Sequence, residues 1–395
     1  MPQIVPEVET FARIKVLGVG GSGKNALNHM VNSKVKGVEF IAVNTDAQDL
    51  HHTLAKKKIH IGKNLTKGLG TGMNADLGRR AVEETKEEVQ EAIKGADMVF
   101  VAGGLGGGTC SGASPIVAKT AKELGALTVA VVTKPFFFEG LQRMKVADAA
   151  LEALKKEVDA IIVIPNDRLL NNIDKNTTAK NAFAMCDEVL KQAVEGISDL
   201  ITTPGIINID FADIRAVMEN TGSALMGIGT GSGEKRAEDA AKMAISSPLL
   251  DISIAGAKGV LFSIAGGDDL TMFEIQDAAK VITESIDPNA KVIFGTVRDD
   301  KVKKGEIRVT VIASGFGDGG TSPSPAAKSK SLFAAPEIKE KEEPKKEIHN
   351  IVTKAVFKEE KIEQAKIVED KKTIPTISSD DDDWGAVPAF LRRKK

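Results

Sequence analysis

Two glycine-dense turns and one pair of aspartates are the places in this 395-residue chain where residue type and spacing could do chemistry. The first turn, Gly103–Gly112, reads GGLGGGTCSG and follows an apolar run, Ala96–Ala102. Glycine lacks a Cβ, so the backbone can take positive φ and bring its N–H groups close to an anion that a side chain would hold away. The next segment, Ser111–Gly125, has a helical pattern, and its positive N-terminal end would point at the same anion. The plain alternative is a solvated turn, but such a turn rarely needs six glycines in ten residues between a buried strand and a helix.

The second turn, GVGGSG at Gly18–Gly23, matches two nucleotide patterns incompletely. As GxGxxG it fits a dinucleotide fingerprint with Asp46 as ribose acid, yet Asp46 lies 28 residues past Gly18, where about 20 is usual. As GxxxxGK it runs to Lys24 like a Walker A loop, but Asn25 replaces the hydroxyl residue that would bind Mg²⁺. Taken together, the two turns would emerge at one carboxyl edge of a doubly wound sheet, where a single nucleotide could meet both. Polar turns at Val43–Asp46, Lys67–Asp76, Thr133–Gly140 and Pro165–Asp167 would converge on that edge. The aspartate pair lies in NIDFAD, Asn208–Asp213, where Asp210 and Asp213 share one face of a first helical turn. One reading is a plain helix cap with dipole compensation. The other is a pair of carboxylates that orients water for attack on a phosphoryl group.

The elements that must position these groups alternate in βα order. Ile14–Leu17, Val38–Val43, Met98–Val101, Leu127–Val132 and Ala160–Ile164 read as buried strands, with helices at Asn25–Val31, Ala75–Ile93, Ser111–Leu124 and Gln142–Lys156. A longer helical pattern from Ala179 to about Leu200 forms a spine, stopped by ITTPG at Ile201–Gly205. Beyond it, strands at Ala224–Ile228, Gly259–Ile264, Lys291–Val297 and Ile307–Ile312, with helices at Gly233–Ala244 and Met272–Glu284, form a smaller α/β unit.

From Thr321 to Asp383 the chain holds 12 Lys and 14 acidic residues with few large apolar ones, a composition expected to stay disordered. The sequence then closes on WGAVPAFLRRKK, where Trp384, the single tryptophan, and Val387, Pro388, Phe390 and Leu391 stand beside four cations as in a docking peptide. A net charge of −2 argues against nucleic acid as the main partner. No long apolar run and no signal-peptide pattern appears, so a cytoplasmic protein without membrane insertion is expected. Cys110 and Cys186 form no metal-ligand pattern, and no protein-borne metal site is expected.

The motifs IKVLGVGGSGKNA, AVNTDAQ, KGLGTGMNADLGRR, ADMVFVAGGLGGGTCSG, AVVTKPFFFEG, IPNDRLL, NIDFADIRAVM and VPAFLRR occur in an order that resembles the FtsZ family of prokaryotic tubulin-like cell-division GTPases. The resemblance runs from about Ile14 to Phe316 and returns in the last residues. It implies a tubulin-like α/β fold with the following parts: a flexible start (1–10), a Rossmann-type, mostly parallel GTP-binding domain (11–178), a central helix (179–202), a C-terminal α/β domain (203–316), a disordered linker (317–383) and a docking peptide (384–395).

It further implies that GTP or GDP is held through its phosphates by Gly20, Gly21, Gly107, Gly108 and Thr109, with Ser22, Asn25 and Thr133 among the binding residues. Asn44 and the Gly72–Asn74 loop would lie near the γ-phosphate, and Glu139 and Arg143 at the ribose and phosphate side. Asn166 and Asp187 would read guanine edges, Phe183 would stack on the base, and Mg²⁺ would come with the phosphates. Asn208, Asp210 and Asp213 would complete hydrolysis in trans, on the next subunit of a head-to-tail filament that forms the division ring at midcell. Adaptor and regulator proteins would bind Val387, Pro388, Ala389, Phe390, Leu391 and Arg392.

One departure is Cys110, which stands where the family's GGGTGTG or GGGTGSG loop has its middle glycine. If the position requires positive φ, cysteine costs on the order of 1 kcal/mol or more. If it lies in a first helical turn with ordinary φ, the cost is small. A helix N-terminus would also depress the Cys110 thiol pKa and raise its reactivity, with GTP protecting it. The competing functions are a nicotinamide-dependent oxidoreductase resting on GVGGSG, and a scaffold that binds GTP but hydrolyses it poorly.

Overall fold

The computed structural model describes residues 12–170, 177–203, 205–247, 254–267, 269–298 and 302–316. The linker and docking peptide expected at 317–395 lie outside the described residues. Among the described residues there are ten strands: β1 Ile14–Val19, β2 Val38–Asn44, β3 Lys57–His60, β4 Met98–Gly104, β5 Leu127–Lys134, β6 Ala160–Pro165, β7 Gly222–Ser232, β8 Gly259–Gly266, β9 Lys291–Arg298 and β10 Glu306–Ser314. The helices are α1 Gly20–Asn32, α2 Ala47–His51, α3 Lys63–Thr66, α4 Ala75–Glu84, α5 Lys86–Ile93, α6 Gly108–Glu123, α7 Leu141–Lys155, α8 Asn166–Leu170, α9 Ala179–Thr202, α10 Phe211–Met218, α11 Arg236–Ile245 and α12 Met272–Thr283. The single helix expected over Ala75–Ile93 is broken at Thr85, whose hydroxyl donates to the Ala81 carbonyl.

All ten strands form one sheet in the order β3-β2-β1-β4-β5-β6-β7-β10-β8-β9. Neighbours from β3 to β7 are parallel, and β10 is antiparallel to both β7 and β8. Strand order reverses between β1 and β4, which pair directly, so the two glycine turns leave the same edge side by side.

The central strands β4 and β6 are apolar at every position because both faces are covered. On β4, Met98, Phe100 and Ala102 join one core with α1 and α9, while Val99 and Val101 join a second core with α4 to α7. Along α9, Leu190, Val194 and Ile197 pack into the first core together with Leu261 of β8 and Ile312 of β10. This one helix, ~36 Å long at 1.5 Å per residue, therefore backs both parts of the sheet. A third core lies under α11 and α12.

The passage from β6 to β7 is only three residues of parallel pairing, Ala160–Ile162 against Gly222–Ala224. Asp159, 4% exposed, reinforces it. Its carboxylate accepts from the Thr128 amide at 2.9 Å and pairs with Lys122 at 3.0 Å, while its carbonyl accepts from the Gly222 amide at 2.9 Å. Asp159→Ala would leave the buried Thr128 amide without its acceptor and take the carboxylate partner from Lys122, and should lower stability by about 2 kcal/mol. Urea unfolding with an unchanged m value checks this, and an unmoved midpoint would contradict the role given to Asp159.

Candidate active site

At the carboxyl edge of the sheet, a cavity of about 510 Å³ is lined by residues of α1, β4, β5, α6, α7, α8 and α9 and of the turns between them. Of the residues expected to bind nucleotide, Gly20, Gly21, Ser22, Asn25, Gly72, Gly107, Gly108, Thr109, Thr133, Glu139, Arg143, Asn166, Phe183 and Asp187 line it. Asn44 and Asn74 do not. Asn44 braces the turn after β2, its amide N donating to Asp49 Oδ2 at 2.8 Å and its oxygen accepting from the Thr45 amide. Asn74 caps α4 by accepting from the Leu77 amide at 3.0 Å.

A hydrogen bond ties the two glycine turns together: the Gly104 amide donates to Ser22 Oγ at 2.7 Å. Each turn opens a helix whose first turn leaves N–H groups without helical partners. Five other helices, α2, α4, α9, α10 and α12, have a side-chain cap at that end. In contrast, α1 and α6 have neither a side-chain cap nor an acid in the first turn, and both point into the cavity. Two uncapped helix ends meeting at one cavity fit an anion such as a polyphosphate, which would supply the missing acceptors.

Close approach explains two of the glycines. Gly20 has φ +74°, and a Cβ at Gly108 would strike the Thr71 hydroxyl and the Asn74 backbone. Thr71 was missed in the sequence, and so was Thr45. The hydroxyls of both lie within hydrogen-bond distance of Thr109 Oγ1, at 3.2 and 2.9 Å. The two threonines in LTKGLGT and VNTD were visible, but only the fold brings them to one hydroxyl.

The other end of the cavity is built for a flat, polar ring. Phe183 is 48% exposed and meets the buried Phe136 edge-on at 5.3 Å. Asn166 is 6% exposed, and its side-chain oxygen is buried with no hydrogen-bond partner. An orphaned acceptor beside an exposed aromatic face is what a bound base would satisfy. Burial pushes the Asp187 carboxyl up to about 6, an effect limited by the positive charges of His29 and Lys24. Between the two ends, Glu139 accepts from the Phe136 amide and from Arg143 at 2.7 Å.

The motif decoys resolve in the same geometry. Lys24, the would-be Walker lysine, is held by Asp49 at 2.6 Å, and Asp46, the would-be ribose acid, caps α2 by accepting from the Asp49 amide.

The acidic turn lies elsewhere. Asp210 lines a second cavity with Ala12, Arg13, Asp97, Ile201, Ile209 and Phe211. Arg13 and Asp97 directly precede β1 and β4, so this is the edge opposite the glycine turns. Asp210 caps α10, its Oδ1 accepting from the Ala212 amide at 3.2 Å, and Asp213 stands exposed in the first helical turn. Asn208 accepts from the Gly205 amide at 2.7 Å, and Ile207 exchanges hydrogen bonds with Thr296 of β9, which pins the turn.

The sequence from 13 to 174 matches the model of the Tubulin/FtsZ family GTPase domain, and 222–317 matches that of the FtsZ family C-terminal domain. An empty FtsZ dimer from M. jannaschii aligns at 44% identity and TM-score 0.76, covering 84% of this chain and 96% of that one. The chain belongs to the FtsZ family. A tryptophan-to-tyrosine mutant of FtsZ from M. jannaschii aligns at 45% identity and TM-score 0.75, covering 80% of this chain and 96% of that one. GDP-bound CetZ1 of Haloferax volcanii, at 22% identity and TM-score 0.68 over 78% of this chain and 95% of that one, shares the fold alone.

FtsZ-family proteins bind GTP and GDP and hydrolyse GTP in cell division, and that is the general activity of this FtsZ-family chain. Among the described residues no helix is long and apolar enough to cross a membrane. No group of three or more His, Cys, Asp or Glu among them could hold a metal ion. The nearest acids to the glycine turns are occupied, Asp49 by Lys24 and Asn44, and Asp46 by its helix cap.

The expectation for Cys110 needs correction. It lies in the first turn of α6, outside the positive-φ residues, so the substitution carries no backbone strain. Its thiol, however, is 3% exposed, turned into the core toward Gly103 and Ser114, and burial pushes its pKa up to about 11. Burial outweighs the helix end because the sulfur points away from the uncapped N–H groups. Cys186 is likewise pushed up to about 12, by burial and by the charge of Asp187. Both thiols should thus resist a thiol reagent at pH 7 with or without nucleotide and react at once after unfolding. Fast labelling of the native protein would refute this.

Proposed function

We propose that this chain is an assembly-dependent GTPase, in which GTP sits in the glycine-turn cavity and Asn208, Asp210 and Asp213 of the next subunit complete hydrolysis. The observation that carries the reading is the separation of the two half-sites. The cavity lies at the start of α9 and the acidic turn beyond its end, so the two cannot act on one nucleotide within one molecule. A head-to-tail contact that stacks one end on the other unites them, and because it does not close, it yields a filament.

In this reading the phosphates cap α1 and α6, Phe183 stacks on guanine, Asn166 satisfies its orphaned oxygen on the base, and Asp187 accepts from guanine N1–H and N2–H. Glu139 and Arg143 border the ribose, and Mg²⁺ accompanies the phosphates and would supply charge neutralisation there. The exposed carboxylates orient water toward the γ-phosphate. Loss of that phosphate weakens the contact built around it. The protein is cytoplasmic and forms the division ring at midcell. Its segment 317–383 tethers the filament, and several copies of Val387–Arg392 on one filament hold adaptor proteins by avidity.

GTP turnover per subunit should rise with protein concentration and level off as filaments saturate. A rate per subunit that is constant from high dilution upward would contradict hydrolysis in trans. Asp210→Ala and Asp213→Ala should each cut turnover by roughly a hundredfold or more while nucleotide binding persists. Unchanged turnover would remove the assigned roles.

Only the ionised form of Asp187 can accept two guanine N–H groups. Its carboxyl stands at about 6 without nucleotide, so GDP affinity should fall as pH drops through that value. Asp187→Asn should weaken binding and flatten this dependence relative to the unaltered protein. Parallel pH profiles would show that the base is not read there.

A further inference from the structure

The lysine of the incomplete Walker motif bears on Asp187 through its charge, but its direct partner is a different carboxylate. Lys24 Nζ lies 2.6 Å from Asp49 Oδ1, with the two side chains 13% and 29% exposed. The other carboxylate oxygen accepts from Asn44 Nδ2 at 2.8 Å. Asn44 in turn accepts from the Thr45 amide, and Thr45 meets Thr109 of the cradle at 2.9 Å. The Asp49 carboxylate also stands directly beside the phosphate loop: a Cβ on Gly21 would lie 3.5 Å from Asp49 Oδ2. A negative charge at that distance from a loop that receives polyphosphate would repel the ligand unless it is neutralised.

We propose that Lys24 is a positioning residue that acts on the nucleotide indirectly, by neutralising Asp49 and so permitting that carboxylate to brace the Asn44–Thr45 turn beside the phosphates. Asp49 is the brace, because its two oxygens join α1 to the turn after β2 and, through Thr45, to the first turn of α6. Lys24 removes the electrostatic cost of placing a carboxylate there. This differs from a Walker lysine, which reaches the phosphates itself. The inference rests on the phosphates occupying the Gly20–Gly21 turn, as in the proposed function.

Neutralising the two partners singly and together is the test. GMP, GDP and GTP binding to the full-length protein would be measured by calorimetry for the unaltered chain, Lys24→Gln, Asp49→Asn and the double variant. Lys24→Gln should weaken GTP roughly tenfold, GDP less and GMP least, because the repulsion grows with the number of phosphates. The double variant should return to within about threefold of the unaltered affinity, since it removes the repulsive charge together with its partner. Asp49→Asn alone should bind GTP at least as tightly as the unaltered protein, with a steeper salt dependence from the released ammonium.

A double variant as weak as Lys24→Gln would overturn the proposal in favour of direct phosphate contact by Lys24. An equal loss for all three nucleotides would overturn it in favour of a structural pair or of an effect through the Asp187 carboxyl, which the Lys24 charge also holds down. If Lys24→Gln does not fold, Asp49→Asn and the double variant decide, and a weakened GTP affinity in both rejects the idea. Failure of the unaltered protein to bind any of the three nucleotides would instead reject the nucleotide site itself.

Discussion

The burial of α9 along the middle of the sheet is the interaction on which the rest of the structure depends. Leu190, Val194 and Ile197 are almost fully buried, and the core they enter takes residues from β1 and β4 as well as from β8 and β10. A helix of 24 residues held this way is a rigid spacer. At one end it presents Phe183 and Asp187 to the nucleotide cavity, and at the other it delivers the chain to the acidic turn. Neither half-site can drift toward the other without opening that core. In the proposed reading, the division of the site between opposite ends is a packing constraint that self-association would complete.

At the cavity the governing economy is electrostatic. Several helices in this fold satisfy their first N–H groups with their own Asp, Asn or Thr, and α1 and α6, which open from the two glycine turns, do not. Their unmet donors, the buried oxygen of Asn166 and the raised carboxyl of Asp187 are all groups whose energy falls when a polyanion with a polar ring is bound. The glycines serve geometry as much as ligand access. Gly108 lets the Thr71–Asn74 loop lie against the start of α6, and Gly112 brings α4 against the same helix one turn later. The side chain of Cys110 is tolerated between them because it turns inward, into the core.

Much of this was legible in the chain itself. The βα alternation, the spine helix and the placement of both glycine turns at one edge follow from apolar runs and turn residues, which are local signals. The break at Thr85 was not legible, because the helical pattern runs on through it and only tertiary packing decides where the backbone bends. Asn44 and Asn74 do not line the cavity, because their side chains are spent on a brace and a cap. Thr45 and Thr71 went unnamed because a threonine in a turn carries no signal until another hydroxyl faces it.

By itself the sequence determined the fold class, the family and the chemical character of the two turns, because glycine spacing and hydrophobic period act over a few residues. The tertiary structure decided what depends on distance between residues far apart in the chain. It put the carboxylates at the far edge from the cradle, gave Lys24 to Asp49, and buried the Cys110 thiol so that desolvation overrode the helix end. Charge, burial and reach are properties of neighbours in space, and the order of residues along the chain does not contain them directly.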